Sequence, residues 1–278
     1  MRALDPEVVN AVWQAVEGLL PRVVDSHPLG CHRPRASDRL CFEGILIRLV
    51  TGCAWVDVER LLGARVSDTT LRARRDEWIA AGVFDRLADE AIAGYDRIIG
   101  LDFSECSVDG SQHKAPLGGE GTGPSPVDRG KRGWKWSLFA DRHGIPVAWV
   151  ADCANRNDCV MLAPTLAAAA ERGLLEDCDT LHLDRGYDNS VVRTLVADLD
   201  IELICAKVRP RGSGIAKKKT VPLGLRWPIE RANSWLSNFG QLRRNTDRRT
   251  HHRVAQLALA VTLLLTAKLI DWRDRWSA

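Results

Sequence analysis

The sequence predicts a mixed α/β protein preceded by an all-helical segment. Three observations predict it. Residues 1 to about 97 carry apolar side chains at helical spacing. Near Ile98 the pattern changes to short strand-like runs bounded by Gly, Pro and polar turns. Further along, helical and strand-like stretches take turns, which argues for a mixed sheet with flanking helices.

The elements follow in order. Pro6 suits a first helical turn, and Val8, Val9, Val12, Val16 and Leu19-Leu20 continue at helical spacing until Pro21. His27–Ser37, rich in Pro, Gly and Arg, is a loop. Leu40–Thr51 forms a second helix with Ile45, Leu46, Leu49 and Val50 on its apolar face. Trp55–Leu62 forms a third, closed by Gly63. Asp68 caps a fourth that runs to Ala81, with Gly82 beyond its end. Strands are expected near 104–112, 134–140, 145–151, 180–184 and 201–206, with the second and third paired as a hairpin through His143-Gly144. Leu117–Gly133 reads as a mobile loop. Asn155–Asp158 is a polar turn before a Leu- and Ala-rich helix that extends to Arg172, another helix covers Asn189–Leu199, and Lys207–Leu225 is a basic loop. Pro228 then opens a helix whose apolar face is Ile229, Ala232 and Leu236, while Glu230, Asn233, Ser237 and Gln241 fall on a polar face.

Trp55–Leu62 and Asp68–Ala81 have the lengths and turn of a helix-turn-helix. Arg72, Arg74 and Arg75 on the second helix are then candidates for the DNA major groove. A small helical bundle with an Arg-rich solvent face explains the same pattern. The division expected is a helical DNA-binding domain over 1–97 and an α/β domain over 98–278.

Charge is uneven. The 278 residues carry a net charge of +3, but Cys205–Arg253 alone holds thirteen Lys/Arg against Glu230 and Asp247. Such a segment suits a polyanion, or a solvated basic face. The eight cysteines (31, 41, 53, 106, 153, 159, 178 and 205) form no Cys-x-x-Cys pair, and no usual zinc spacing is present. Scattered thiols suit a reducing cytoplasm. No apolar leader opens the chain. Val254–Ile270 is interrupted by Gln256, Thr262, Thr266 and Lys268, and a span needs ~20 apolar residues, so a buried core helix rather than a membrane segment is expected.

Three acids are candidates for chemistry: Asp109 and Asp184 after strands, and Glu230 in the first turn of a late helix. Each has a plain explanation: a turn pair with Gly110, a turn cap, and an acid at the positive end of a helix. Open α/β sheets place their chemistry at strand ends, and Arg185 and Arg231 stand next to two of the three.

Val108-Asp109-Gly110-Ser111, Asp128–Gly133, Leu183–Asp188 and Arg226–Leu236, with Phe239–Arg244 after it, together resemble bacterial insertion-sequence transposases of the Asp-Asp-Glu type, specifically the insertion-sequence-five group. The late motif is the most specific, and the resemblance covers about residues 30 to 275. It implies an RNase-H-like (retroviral-integrase-like) mixed sheet, with Asp109 ending the first strand, Asp184 ending the fourth and Glu230 on a following helix. It also implies that the three acids hold two Mg²⁺ ions, with Mn²⁺ as a substitute. Such pairs, ~3.5–4 Å apart, generate the nucleophile and stabilise the leaving oxygen of an in-line phosphodiester displacement. Related proteins carry Tyr, Arg, Glu and Lys at fixed spacing on the late helix. Here Arg226 and Glu230 keep that spacing, while Leu223 and Ser237 occupy the Tyr and Lys positions.

The resemblance further implies binding to double-stranded DNA, both the element's terminal inverted repeats and the target, by a homodimer on paired ends. Lys114, Lys135, Arg185, Arg226, Arg231 and Asn233 are candidate DNA contacts, with Arg243 or Arg244 supplying the cation missing from the late helix. Trp134, Trp136, Trp227 and Trp235 are expected in the core. The expected location is the cytoplasm, at the nucleoid. Two other functions fit the same residues: a catalytically silent DNA-binding protein derived from a transposase, acting as a repressor, and a structure-selective nuclease of the same fold.

Overall fold

The computed structural model describes residues 3–22, 34–205 and 227–276. In chain order the elements are α1 (Pro6–Leu19), α2 (Asp38–Thr51), α3 (Trp55–Leu61), α4 (Asp68–Ala80), α5 (Val83–Ile98), β1 (Glu105–Lys114), β2 (Gly123–Pro124), β3 (Arg132–Ala140), β4 (Pro146–Cys153), α6 (Asp158–Glu171), β5 (Thr180–Leu183), a 3-10 turn (Arg185–Tyr187), α7 (Ser190–Asp198), β6 (Glu202–Cys205), α8 (Trp227–Ser237), α9 (Gly240–Arg243) and α10 (Thr250–Trp276).

They fall into two compact units: Met1–Ile98 with Leu236–Ala278, and Ile99–Trp235. The second domain, expected to reach residue 278, stops at Trp235. Instead, α10 is built into the helical unit, because its apolar side chains are buried against α1, α4 and α5. A helix of this length and composition passes as a membrane span. Its buried residues, among them Leu257, Leu259, Val261, Leu263 and Leu265, make it the central helix of this unit.

Polar groups lock the helical unit as firmly as apolar ones. Asp247 accepts hydrogen bonds from Arg75 Nη1 at 2.9 Å, Gln241 Nε2 at 3.0 Å and Gln256 Nε2 at 2.6 Å, while Arg253 donates to its backbone carbonyl. Burial alone pushes the Asp247 carboxyl up. Arg75, Arg48 and the Gln256 hydrogen bond outweigh it and hold the group below its ordinary value. α4 is capped by Ser67, whose hydroxyl accepts from the Thr70 N–H, with Asp68 in the first turn where the helix dipole favours an acid. The expected cap was Asp68 itself.

The second unit is built on one sheet with the order β4–β3–β1–β5–β6, the two-residue β2 pairing with the start of β3. β1, β3 and β4 run antiparallel, whereas β1–β5 and β5–β6 are parallel. β3 lies between β1 and β4 and is buried along nearly its whole length. The stretch 117–133, expected to be a mobile loop, carries β2 and a turn closed by Ser125 and Lys131, with Ser125 Oγ donating to Gln112 Oε1 at 3.1 Å. Trp134 and Trp136 are fully buried, as expected. Trp227 is 56% exposed, so that expectation does not hold for it. The basic loop Lys207–Leu225, Arg226 and the Leu223 position lie outside the described residues, as does most of the loop 27–37.

Candidate active site

Asp109 does not end its strand. It lies midway along β1, opposite Leu138 of β3, so it is not part of a turn with Gly110 either. What ends there is the neighbour on the other side. β5 pairs with β1 only up to Ser107↔His182 and stops at Leu183. Two steps further in the same register bring Asp109 level with Asp184, and adjacent strands stand about 4.8 Å apart. Asp184 leaves β5 and caps the 3-10 turn, its Oδ1 accepting from the Gly186 N–H at 3.3 Å. It therefore acts both as a turn cap and as a wall of the site.

Asp109 and Asp184 line one open cleft of about 380 Å³, together with Gln112, Lys135, Asp158, Gly186 and Tyr187. Tyr187 is buried, and its hydroxyl has no hydrogen-bond partner among the described residues. Burial first, and then the nearby carboxylates of Asp158, Asp109 and Asp184, push its phenol well above the ordinary range.

Asp158 went unnoticed in the sequence, where it looked like one more polar turn residue. It opens α6 and holds Lys135 Nζ at 2.9 Å, the same ammonium that donates to the Arg156 carbonyl. Gly110 leaves room for this pair, since a Cβ there would overlap the Asp158 carboxylate. Lys135 was expected to contact DNA. It lines the cleft, but it is 2% exposed and its charge is matched by Asp158.

Glu230 lies in the first turn of α8 and is exposed. That helix is fastened to the sheet in two ways. The β3–β4 turn is drawn tight by buried Asp141, which accepts from the His143 and Ile145 N–H groups, and the His143 carbonyl accepts from Arg231. Gly144 is needed in that turn: its φ is +72°, and a Cβ would overlap the Pro228 backbone. The second fastening is Asn233, one turn beyond Glu230 on the same face, whose Nδ2 donates to Asp109 Oδ2 at 3.1 Å. Asn233 was expected to touch DNA. It is buried and belongs to the site's framework instead.

The remaining candidate cations divide in the same way. Arg74 and Arg75 do not face solvent. Arg74 pairs with Asp38 and Glu77, and Arg75 with Asp247, both side chains being nearly inaccessible. A DNA-reading role for that pair is incompatible with their burial. Arg72 is half-exposed and bound to Asp68 at 2.8 Å. Arg231 stacks between Trp227 and Trp235. Lys114, Arg185, Arg243 and Arg244 are exposed.

The donors suit a hard divalent cation in kind, being carboxylate oxygens only. Asp109 and Asp184 line the same cleft, and Glu230 is on the helix joined to Asp109. Among the described residues, no group of three or more His, Cys, Asp or Glu side chains is gathered closely enough to hold one ion.

Comparison with known proteins gives the family. Residues 101–266 match the family described as "Transposase DDE domain", and residues 8–88 match "Putative transposase of IS4/5 family". The chain is thus a transposase, and it belongs to the DDE-domain family. Within that family its similarity runs to insertion-sequence transposases. It is 36% identical over 149 residues to the "Putative transposase for insertion sequence element IS402" of Burkholderia cepacia, covering 51% of this chain and 67% of that protein. It is also 34% identical over 121 residues to the "Insertion element IS402 uncharacterized 16.2 kDa protein" of the same organism, covering 44% of this chain and 82% of the other. Among solved structures, a pre-cleavage Mos1 transpososome aligns over 92% of this chain and 85% of its own, at 9% identity and a TM-score of 0.31, too low to establish a shared fold.

Proposed function

We propose that this transposase binds the terminal inverted repeats of its insertion sequence and performs metal-dependent DNA cleavage and strand transfer, with Asp109, Asp184 and Glu230 as the catalytic carboxylates. The observation that carries this reading is the placement of Asp109 level with Asp184 in one cleft, with Asn233 tying Asp109 to the helix of Glu230. The strand order, three antiparallel strands followed by two parallel ones, supports an RNase-H-like fold for residues 99–235.

Asp109 and Asp184 would hold Mg²⁺ or Mn²⁺ between them, and Glu230 would complete the set of oxygen donors. Bound divalent ions supply an activated water or hydroxyl nucleophile and stabilise the leaving oxygen. The chain's own groups do the rest. A phosphodiester backbone would lie in the open cleft, and exposed Arg185, the residue after Asp184, offers a cation to phosphate. Lys135, matched by Asp158, holds the start of α6 against β3. Lys114 on the α/β unit, and Arg243 and Arg244 on the helical unit, are further exposed cations for DNA phosphates. Two ends must be joined, so a homodimer on paired ends, working at the nucleoid, belongs to the same reading.

The test is a supercoiled plasmid carrying the element's ends, incubated with the protein in Mg²⁺ or in EDTA. Cuts at the element boundaries, lost in EDTA and reduced at least a thousandfold by Asp109→Ala, Asp184→Asn or Glu230→Ala, are the expected result, ~4 kcal/mol of lost transition-state stabilisation. Strand transfer by Asp184→Asn at the wild-type rate would sink the assignment. Binding without cutting in either Mg²⁺ or Mn²⁺ would favour a silent repressor, and cutting of branched DNA without terminal repeats a structure-selective nuclease.

A further inference from the structure

We propose that Asn233 is a positioning residue for the active site, locked by the indole of Trp136 so that its amide can only donate to Asp109. The inference rests on the assignment of Asp109 as a metal-holding carboxylate and extends it to the residues that aim that carboxylate.

Asn233 is 8% exposed, and two of its hydrogen bonds run in opposite senses. Its Oδ1 accepts from Trp136 Nε1 at 2.8 Å, and its Nδ2 donates to Asp109 Oδ2 at 3.1 Å. An indole N–H can only donate and an ionised carboxylate can only accept. A side chain bridging them must therefore present one acceptor and one donor, and must present them in this order. A carboxamide does so, and the alternative flip would set two donors against each other and two acceptors against each other.

Trp136 cannot turn away. It is fully buried on β3, and the His113 ring stacks on it with centroids 3.6 Å apart. The indole therefore fixes the amide, and the amide fixes one oxygen of Asp109. A carboxylate with one oxygen engaged by a rigid donor presents the other in a defined direction, which is what an ion in the cleft requires. Because Glu230 lies one turn earlier on the same helix, the same bond also sets how near α8 brings Glu230 to β1. Asn233 meets the site through this carboxylate, and its part is to orient.

The readout is Mn²⁺ binding to the full chain, followed by the paramagnetic resonance of the free ion, with no turnover needed. The variants are Asn233→Leu, which keeps the branching at Cγ and removes both bonds, Trp136→Phe, which removes the indole donor, the double variant, and Asp109→Ala. Asn233→Leu is expected to weaken Mn²⁺ binding about tenfold, the usual scale for an outer-sphere partner of a metal ligand. Trp136→Phe is expected to weaken it by a smaller factor, and the double variant no more than Asn233→Leu alone, since the two residues act in one chain. The ¹⁵N–¹H signal of the Trp136 indole should shift, and exchange faster with solvent, in Asn233→Leu. If Asn233→Leu does not fold, Trp136→Phe decides the matter through the same Mn²⁺ measurement. Wild-type affinity in the Asn233 and Trp136 variants, with binding lost in Asp109→Ala, would overturn this inference and leave the carboxylate assignment standing. A wild-type chain that takes up no Mn²⁺, or Asp109→Ala that binds it undiminished, would overturn both.

Discussion

Gly110 shows how much a single missing side chain can decide. It follows Asp109 in the middle of a strand, where glycine is normally a weak choice. The space its Cβ would fill belongs to the Asp158 carboxylate, which in turn holds the buried ammonium of Lys135. Gly110→Ala should therefore act as an overpacking change at a charged contact, costing about 1–3 kcal/mol. Urea denaturation would show the midpoint falling with an unchanged slope, whereas an unchanged midpoint would mean that Asp158 has room to move. His113 makes a second prediction at this scale. Burial against Trp136 depresses its imidazole to about 3, from an ordinary value of 6.5. Between those values the unfolded chain binds a proton that the folded chain does not. Stability is therefore complete above about pH 6.5 and declines as pH falls toward 3, by roughly 1 kcal/mol per pH unit from this group. His252, depressed to about 4, adds to the same slope between its own values. Replacing His113 by Phe should flatten the thermal-stability profile across pH 4–6 relative to wild type; an unaltered slope would show that this imidazole is reached by solvent.

At the scale of elements, what decides is which group pairs with which across long stretches of chain. Asp247 joins α4, α9 and α10 through Arg75, Gln241 and Gln256, deep in the helical unit. Removing it takes the buried carboxylate from Arg75 and Arg48, leaving Arg75 only the half-exposed Asp76, so Asp247→Ala should cost about 3–5 kcal/mol. Calorimetry would resolve that loss as a lower melting temperature, and a shift of only a degree or two would mean that water replaces the carboxylate. This cluster also shows what could be read from the sequence and what could not. The strands of the second unit and most of the helices were legible, because apolar spacing is a local signal. The hairpin through His143-Gly144 and the buried character of α10 were legible for the same reason, whereas the cap of α4 was expected one residue late, at Asp68 instead of Ser67. Arg74 and Arg75 were not. An Arg-rich helix looks solvent-facing when only its neighbours in sequence are seen, and the partner of Arg75 is 172 positions away. Asn233 was misjudged likewise, with partners 97 and 124 positions off. The acids Asp109, Asp184 and Glu230 stood out only as a set, through family resemblance. Asp158, with its commonplace local setting, gave no sequence signal at all.

At the scale of the whole molecule, the chain enters the α/β unit after Ile98 and leaves it after Trp235, so that unit is an insertion within the helical one. The sequence concealed this because a domain boundary shows itself by a change of pattern. The pattern changes at Ile98, but the helix carrying Glu230 runs on across the second boundary without a break. The site acids all lie in the inserted unit, while Arg243 and Arg244 lie beyond it in the helical one.

The insertion has a consequence for how the molecule is made. During synthesis α1–α5 leave the ribosome well before α10, the helix that completes their core. The α/β unit has all of its strands well before that and is free to fold first, against the usual N-to-C order. Until α10 arrives, Val8, Val12, Leu87 and Ile92 have no complete core to enter, and the first helices of the nascent chain are the part most in need of a chaperone. A premature stop anywhere between β6 and α10 would therefore disable the far end of the protein as well as the near one.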